Sequence, residues 1–149
     1  MTDAFFRVSV GAVVVDGQRR ILVMRRKGTR EVAWQMPQGG IEMDESPFDA
    51  LYRELNEETG LERRDVEVVA STSDWLVYEL PPGFRNAKVG WGQAQRWFLC
   101  KLLTDRSRVR PDGVEFTDVD WVTAGDLLAR AISFRAPIYR RLVAEFSLD

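Results

Sequence analysis

Histidine is absent from the 149-residue sequence, and cysteine occurs once, at position 100. Without histidine, the chain has no imidazole base for a nucleophile and no histidine-based metal site. A single cysteine excludes both a disulfide within the chain and a zinc site built from several thiolates. Because Cys100 ends the apolar run that starts at Trp97, we expect it to be a buried side chain rather than a nucleophile. The groups left for chemistry are carboxylates, arginines and lysines.

Long apolar runs and an excess of positive charge are also missing. No segment approaches the roughly 20 apolar residues of a membrane-spanning helix, and the start, MTDAFFRVSV, lacks the features of a signal peptide. The net charge of −2 gives no general attraction to polyanions, so we expect neither DNA recognition nor membrane binding. A composition of 45% hydrophobic and 30% charged residues is ordinary for a soluble globular protein. We therefore expect one domain, residues 1–149, located in the cytoplasm.

The most informative stretch is Gly39 to Leu61, GGIEMDESPFDALYRELNEETGL, which predicts a helix with defined ends. Ser46 suits the N-cap, and Pro47 suits the first helical position. Asp49 would complete a capping box by bonding back to the cap. Gly60 suits the left-handed residue that follows the last helical turn.

Three acidic side chains share one face of this predicted helix, namely Glu54, Glu57 and Glu58, at positions i, i+3 and i+4. Their charges repel one another, and a divalent cation would remove that repulsion. Mg²⁺ takes oxygen ligands and is commonly held by one or two carboxylates together with substrate phosphates. The triplet therefore favours a Mg²⁺–phosphate site, with Arg53 beside it to orient a carboxylate or contact an oxyanion. The alternative is a solvated acidic face, which is the usual fate of Glu-rich helices.

The stretch as a whole resembles the Nudix box with no position missing. The matching residues are Gly39, Glu45, Arg53-Glu54-Leu55, Glu57-Glu58 and Gly60-Leu61. The Nudix family hydrolyses nucleoside diphosphates linked to another group. The resemblance implies Mg²⁺ as the cofactor, with Mn²⁺ as a substitute, and the Gly39 carbonyl as an additional ligand beside the three glutamates.

The order of predicted elements indicates an α+β class. A hairpin is predicted from Arg7–Val15 and Ile21–Met24 around the Asp16-Gly17 turn. Further strands are predicted at 34–37, 66–70, 75–80, 95–103 and 114–122, and further helices at 124–131 and 137–146. The Nudix resemblance implies the specific version of this class, an α/β/α sandwich with a mixed β-sheet between helices.

The resemblance extends beyond the box and is closest to bacterial RNA pyrophosphohydrolases and dinucleoside polyphosphate hydrolases. It is carried by WQMPQGG from Trp34, GQAQRWFL from Gly92, Glu115-Phe116 followed by Trp121, Ser133-Phe134-Arg135 and Tyr139-Arg140-Arg141. It implies substrate contacts at Arg7, at Arg25 or Arg26, and at Phe134 and Arg135. It also implies Glu115 as a further metal ligand or base.

Two residues depart from that group, which usually has Phe at the position of Met36 and Lys at the position of Arg135. Met for Phe is a change of packing, whereas Arg for Lys exchanges a point charge for a planar group that stacks on a base. Independently of the resemblance, Gln93 and Gln95 alternate on one face of a predicted strand. This pattern favours a polar cleft lining that includes Gln93.

Together these features predict a Mg²⁺-dependent pyrophosphohydrolase that acts on 5′-triphosphate ends of RNA or on dinucleoside polyphosphates. Its catalytic residues would be Arg53 and a general base, for which Glu57 and Glu115 are the two candidates. Alternatives within the enzyme class are a dedicated diadenosine tetra- or pentaphosphate hydrolase and a nucleoside triphosphate pyrophosphatase. A module that binds nucleotide or RNA without turnover is the alternative from another class. The crowded carboxylates argue against it, since binding alone does not need them.

Overall fold

The computed structural model describes residues 4–28 and 33–149. Within them the strands are β1 (Phe6–Val15), β2 (Ile21–Arg26), β3 (Trp34–Gln35), β4 (Gln38–Gly40), β5 (Val66–Ser71), β6 (Leu76–Glu79), β7 (Gly92–Leu102) and β8 (Phe116–Val122). The α-helices are α1 (Pro47–Thr59), α2 (Ala124–Arg130) and α3 (Ala136–Glu145). Short 3₁₀ helices cover residues 63–65, 82–84 and 106–108. No helix in this part of the chain has the length and apolar character that crossing a membrane requires.

The strands form one mixed sheet in the order β3-β2-β1-β7-β5, with β4 on β1, β6 on β7 and β8 on β2. Strand β1 lies beside β7 in parallel, in a register that runs from Phe6 opposite Gly92 to Val15 opposite Lys101. The other pairings are antiparallel, including the predicted hairpin of β1 and β2. The parallel pairing brings the start of the chain next to a segment more than 80 residues later.

Apolar side chains cover both faces of the sheet. On one face, Leu51 and Leu55 of α1 pack with alternate residues of β1 and with Phe98 and Cys100 of β7. On the other, Leu127 of α2 and Tyr139 of α3 join a second cluster. Two cores on opposite faces give the predicted α/β/α sandwich. The prediction for Cys100 is also confirmed, because its side chain is buried and burial raises the pKa of the thiol to about 12.

Helix α1 begins and ends where the sequence predicts. The Ser46 hydroxyl accepts a hydrogen bond from the Asp49 N–H at 3.1 Å, and Pro47 opens the first turn. Gly60 follows the helix with φ of +77° and donates its N–H to the Asn56 carbonyl. The predicted capping box is wrong, since the Asp49 carboxylate accepts from Arg63 Nη2 at 2.7 Å instead of bonding back to Ser46. The Asp49 side chain thus pairs with Arg63, 14 positions later, and not with the residue that caps its own helix.

Candidate active site

A cleft of about 780 Å³ is bordered by α1, by residues of β1, β2, β3, β4 and β7, and by several loops. Its lining combines two sets of charged side chains. The acidic set is Glu42, Glu54, Glu57, Glu58 and Glu115, and the basic set is Arg7, Arg26, Arg53, Lys88 and Arg135. A cleft with both sets suits a ligand that is itself anionic and is held together with a cation.

Arg53 forms hydrogen bonds to the carboxylates of Glu45 and Glu54. Its Nε and Nη2 donate to the two oxygens of Glu45 at 2.8 and 2.9 Å. Nη2 also donates to the Gly40 carbonyl at 2.8 Å, and Nη1 donates to Glu54 at 2.8 Å. The Arg53 guanidinium holds the pKa of Glu45 down at about 2. These bonds use all three nitrogens of the planar guanidinium. Arg53 therefore fixes the positions of Gly40, Glu45 and Glu54 relative to one another.

Glu54 lies against the backbone of Gly39. A Cβ atom at Gly39 would overlap the Glu54 carboxyl group, so only glycine allows the strand to pass this close to the helix. Burial raises the pKa of Glu54 despite its bond to Arg53, with further contributions from the charges of Glu57 and Glu115. The predicted metal ligands Gly39 and Glu54 are therefore neighbours in the structure.

Glu58 is the most buried acid of the cleft, with 4% relative exposure. Among the described residues its carboxylate accepts one hydrogen bond, from the Gln38 N–H at 3.3 Å. Burial, together with the charges of Glu54 and Glu115, raises its pKa to about 9. In the described part of the chain no arginine or lysine bridges to this carboxyl group, so it favours the neutral form unless a cation binds beside it.

The donor set fits Mg²⁺ or Mn²⁺ in chemistry, since it consists of carboxylates and a carbonyl with no nitrogen or sulfur. The arrangement is not closed around an ion: in the described residues no three acidic side chains form a ready metal-binding group. Arg53 Nη1 contacts Glu54 at 2.8 Å and Glu57 at 3.4 Å, and the Glu57 side chain is 58% exposed. A cation would therefore compete with Arg53 for two of the predicted ligands.

Glu115 is brought to this acidic group from a distant part of the chain. It lies just before β8, its side chain is exposed, and its backbone carbonyl accepts the Lys27 N–H at 2.7 Å. Its charge contributes to the raised pKa values of both Glu54 and Glu58. The structure thus places both candidates for the general base, Glu57 and Glu115, in one cleft.

The predicted cationic contacts divide into those at the cleft and one away from it. Arg7 and Arg26 line the cleft, and the Arg7 guanidinium lies so close to Gly40 that a Cβ there would overlap it. Arg25 does not line the cleft, and its guanidinium is 3.9 Å from the Asp118 carboxylate. Between the two arginines that the sequence left as alternatives, the geometry therefore favours Arg26.

Phe134 and Arg135 lie between α2 and α3, as predicted, and both line the cleft. The Phe134 ring stacks on Tyr78 at 6.0 Å between centroids and contacts Phe84 at 5.1 Å. Arg135 donates to the Gln35 side chain at 3.1 Å. Within the described residues, the Tyr78 hydroxyl and Arg135 Nε are buried without a hydrogen-bond partner. This end of the cleft thus offers the aromatic rings of Phe84 and Phe134 and the guanidinium of Arg135.

Other lining residues were missed by the sequence reasoning. Phe84, Asn86 and Lys88 belong to the loop that follows Leu80, and Gln38 belongs to β4. The available signal was the composition of this loop, in which an aromatic residue and a lysine stand among Pro, Gly and Asn. A half-exposed Phe84 in such a loop is typical of a binding surface rather than of a core.

Comparison with known proteins identifies the family and the fold. A sequence profile of the NUDIX domain matches residues 5–142. An RNA pyrophosphohydrolase of Pseudomonas putida is 43% identical over 148 residues, which cover 95% of this chain and 92% of the relative. The dihydroneopterin triphosphate pyrophosphohydrolase of E. coli superimposes with a TM-score of 0.77 at 20% identity, covering 96% and 99% of the two chains. An Ap4A hydrolase of C. elegans gives a TM-score of 0.72 at 18% identity, covering 95% and 98%.

Proposed function

Because the chain belongs to the Nudix hydrolase family, we propose that it is a pyrophosphohydrolase acting on the 5′-triphosphate end of RNA. The same cleft would also accept a dinucleoside polyphosphate, whose polyphosphate chain presents the same anhydride bonds. We further propose that residues 1–149 act as one domain, in the cytoplasm. The RNA substrate is preferred because the P. putida relative, which is named for that activity, matches along nearly the whole chain.

The observation that carries the proposal is the composition of the cleft. Four carboxylates that would hold a cation share it with Arg7, Arg26, Lys88 and Arg135, which together suit a chain of several phosphates. The aromatic residues Phe84 and Phe134 border the same space and suit a nucleobase, and the buried Tyr78 ring supports Phe134 from behind. A ligand that contains both a polyphosphate and a base would match the charged part and the aromatic part of the cleft.

The glutamates of α1, Glu115 and the Gly39 carbonyl would hold Mg²⁺. When bound, the ion neutralises phosphate charge and makes water more acidic. The residues of the chain then have separate tasks. Arg7, Arg26 and Arg135 bind and orient the phosphates, and Phe134 stacks on the first base. Glu57 or Glu115 accepts the proton of the attacking water, and Arg53 keeps the glutamates aligned.

A panel of substrates tests this function. Purified protein is incubated with triphosphate-ended RNA, diadenosine tetraphosphate, free nucleoside triphosphates and ADP-ribose, each with Mg²⁺ or with EDTA. We expect monophosphate-ended RNA as a product, released together with pyrophosphate or two orthophosphates, and no product in EDTA. Glu57→Gln protein serves as the control for contaminating phosphatases.

The other outcomes of the panel distinguish the alternatives. Turnover of diadenosine tetraphosphate alone would identify a dedicated dinucleoside polyphosphate hydrolase, and turnover of free nucleotides alone would identify a nucleoside triphosphate pyrophosphatase. Turnover confined to ADP-ribose would refute the proposed substrate but not the dependence on Mg²⁺. Binding of RNA with no turnover of any substrate would refute hydrolysis and favour a binding module.

A further inference from the structure

A chain of buried side-chain hydrogen bonds runs from the core to the cleft. Trp97, Gln95 and Gln93 alternate along β7, so their side chains lie on the same face of the strand. Trp97 Nε1 donates to Gln95 Oε1 at 3.0 Å, and Gln95 Nε2 donates to Gln93 Oε1 at 3.0 Å. Gln95 Nε2 also contacts Gln38 Oε1 at 3.3 Å. Gln38 and Gln93 line the cleft, whereas Gln95 and Trp97 are buried with 1% and 0% relative exposure.

The Trp97 indole determines which atom donates and which accepts in the hydrogen bonds between the glutamine side chains. A tryptophan N–H donates and never accepts, so Gln95 turns its oxygen towards Trp97. The amino group of Gln95 then faces Gln93 and Gln38, and each of them presents an oxygen to it. The Ser9 hydroxyl adds a second donor to Gln93 Oε1 at 2.7 Å. In the described part of the chain, neither Gln38 Nε2 nor Gln93 Nε2 donates to another group.

Trp97 is itself fixed by packing. Its ring lies over Gly11, where a Cβ atom would overlap the indole, and it contacts the Tyr139 ring edge-on at 5.9 Å between centroids. The Tyr139 hydroxyl accepts the Met36 N–H at 3.0 Å. The Trp97 N–H, which determines the direction of these hydrogen bonds, therefore belongs to a side chain that is tightly packed in the core.

We propose that Trp97 and Gln95 are positioning residues that orient Gln38 and Gln93 so that their side-chain amino groups donate to oxygens of the polyphosphate chain. Gln93 lies beside Arg7 in the register of β1 and β7, and the backbone N–H of Gln38 donates to Glu58, so one glutamine neighbours a cationic residue of the cleft and the other an acidic one. Fixed neutral donors add directed hydrogen bonds without adding charge. The assignment rests on the proposed function for the nature of the phosphate ligand.

A double-mutant cycle tests the orienting role. Trp97→Phe keeps an aromatic ring and removes the N–H, so both amide orientations of Gln95 become accessible. We expect kcat/KM on triphosphate-ended RNA to fall by roughly 3- to 10-fold, the effect of one hydrogen bond, mainly through KM. In a Gln38→Ala/Gln93→Ala background, Trp97→Phe should change kcat/KM by less than about 2-fold, because no amide remains to be oriented.

The controls separate orientation from general damage. Trp75→Phe alters a half-exposed indole that does not line the cleft, and it should leave kcat/KM unchanged. Melting temperatures of all variants show whether the fraction folded explains a loss. If Trp97→Phe does not fold, Ser9→Ala removes the second donor to Gln93 and should give a smaller loss with the same background dependence. An equal loss in both backgrounds, or no loss in folded protein, would overturn the proposal.

A binding measurement keeps this test independent of the substrate. In protein labelled with ¹⁵N-glutamine, the side-chain NH₂ signals of Gln38 and Gln93 are identified by their loss in the alanine variants. Titration with inorganic pyrophosphate and Mg²⁺ should shift both signals and should need more pyrophosphate in Trp97→Phe protein. Shifts without RNA turnover would refute the proposed function and leave the amide donors in place. Signals that pyrophosphate does not move would refute the donors even if RNA is hydrolysed.

Discussion

Replacing Glu58 with glutamine should make the metal-free protein more stable near neutral pH, although it removes a predicted metal ligand. Glu58 is buried, sits near Glu54 and Glu115, and accepts a single hydrogen bond among the described residues. In the folded protein its pKa is about 9, against an ordinary value of 4.5. Folding at neutral pH therefore requires this carboxyl group to take up a proton, and that uptake opposes folding.

The size of the effect follows from the difference in pKa. At about pH 7.5 the unfolded carboxyl group is ionised, and protonating it costs about 4 kcal/mol at roughly 1.4 kcal/mol per pH unit. The cost is absent below the unfolded pKa, grows as the pH rises above it, and levels off above the folded pKa. Glutamine is neutral throughout, so the gain in the variant should be near zero at about pH 4.5 and should rise with pH to several kcal/mol.

Urea unfolding in EDTA across this pH range measures the effect. Glu57→Gln is the matched control, because it makes the same chemical change one residue away on a side chain that is 58% exposed. The control should differ from the parent protein by no more than about 0.5 kcal/mol. Saturating Mg²⁺ should stabilise the parent protein more than Glu58→Gln, because the ion binds the folded carboxylate. A variant that is less stable than the parent at about pH 8 in EDTA, or equally stable at every pH, would refute the reasoning.

Three further outcomes are expected at the site. Glu57→Gln should lower kcat by orders of magnitude with an unchanged melting temperature, since an amide is a poor Mg²⁺ ligand and no proton acceptor; near-normal phosphate release would contradict its role. Glu45→Gln should cost less activity than Glu57→Gln, because Glu45 acts through Arg53; equal losses in the same assay would contradict that order. Phe134→Ala should lower kcat/KM by roughly 10- to 100-fold with the Mg²⁺ dependence unchanged. A loss of about 3–5 kcal/mol in unfolding free energy with normal single-turnover rates would instead assign Phe134 to the core with Tyr78.

The parts of the fold that were predicted from sequence depend on local chemistry. Ser46 and Gly60 define α1 because a cap and a left-handed residue act within one turn of the helix. The grouping of Glu54, Glu57 and Glu58 follows in the same way from helical spacing, and all three line the cleft. Interactions within about four residues of each other need no knowledge of the sheet.

Contacts between distant segments could not be obtained in this way. The choice between Arg25 and Arg26 depends on the pairing of β2 with β8, which sets Asp118 near Arg25. The bond between Ser9 and Gln93 joins residues 84 positions apart and needs the parallel register of β1 and β7. The sequence indicated only that Gln93 and Gln95 share a strand face. Which atom of each amide faces the cleft depends on Trp97, and the indole is placed by tertiary packing.

The two most buried acids of the cleft, Glu54 and Glu58, differ in whether the protein itself supplies a cationic partner. Glu54 has a partner within the chain, Arg53 at 2.8 Å, which offsets part of the cost of burying its charge and sets its position. Glu58 has no such cation among the described residues, and its carboxyl group favours the neutral form. A divalent ion would supply the missing charge at Glu58 and would share Glu54 with Arg53. Because the buried carboxyl group of Glu58 favours its neutral form, a cation that binds it must displace a proton, so we expect cation binding to weaken as the pH falls.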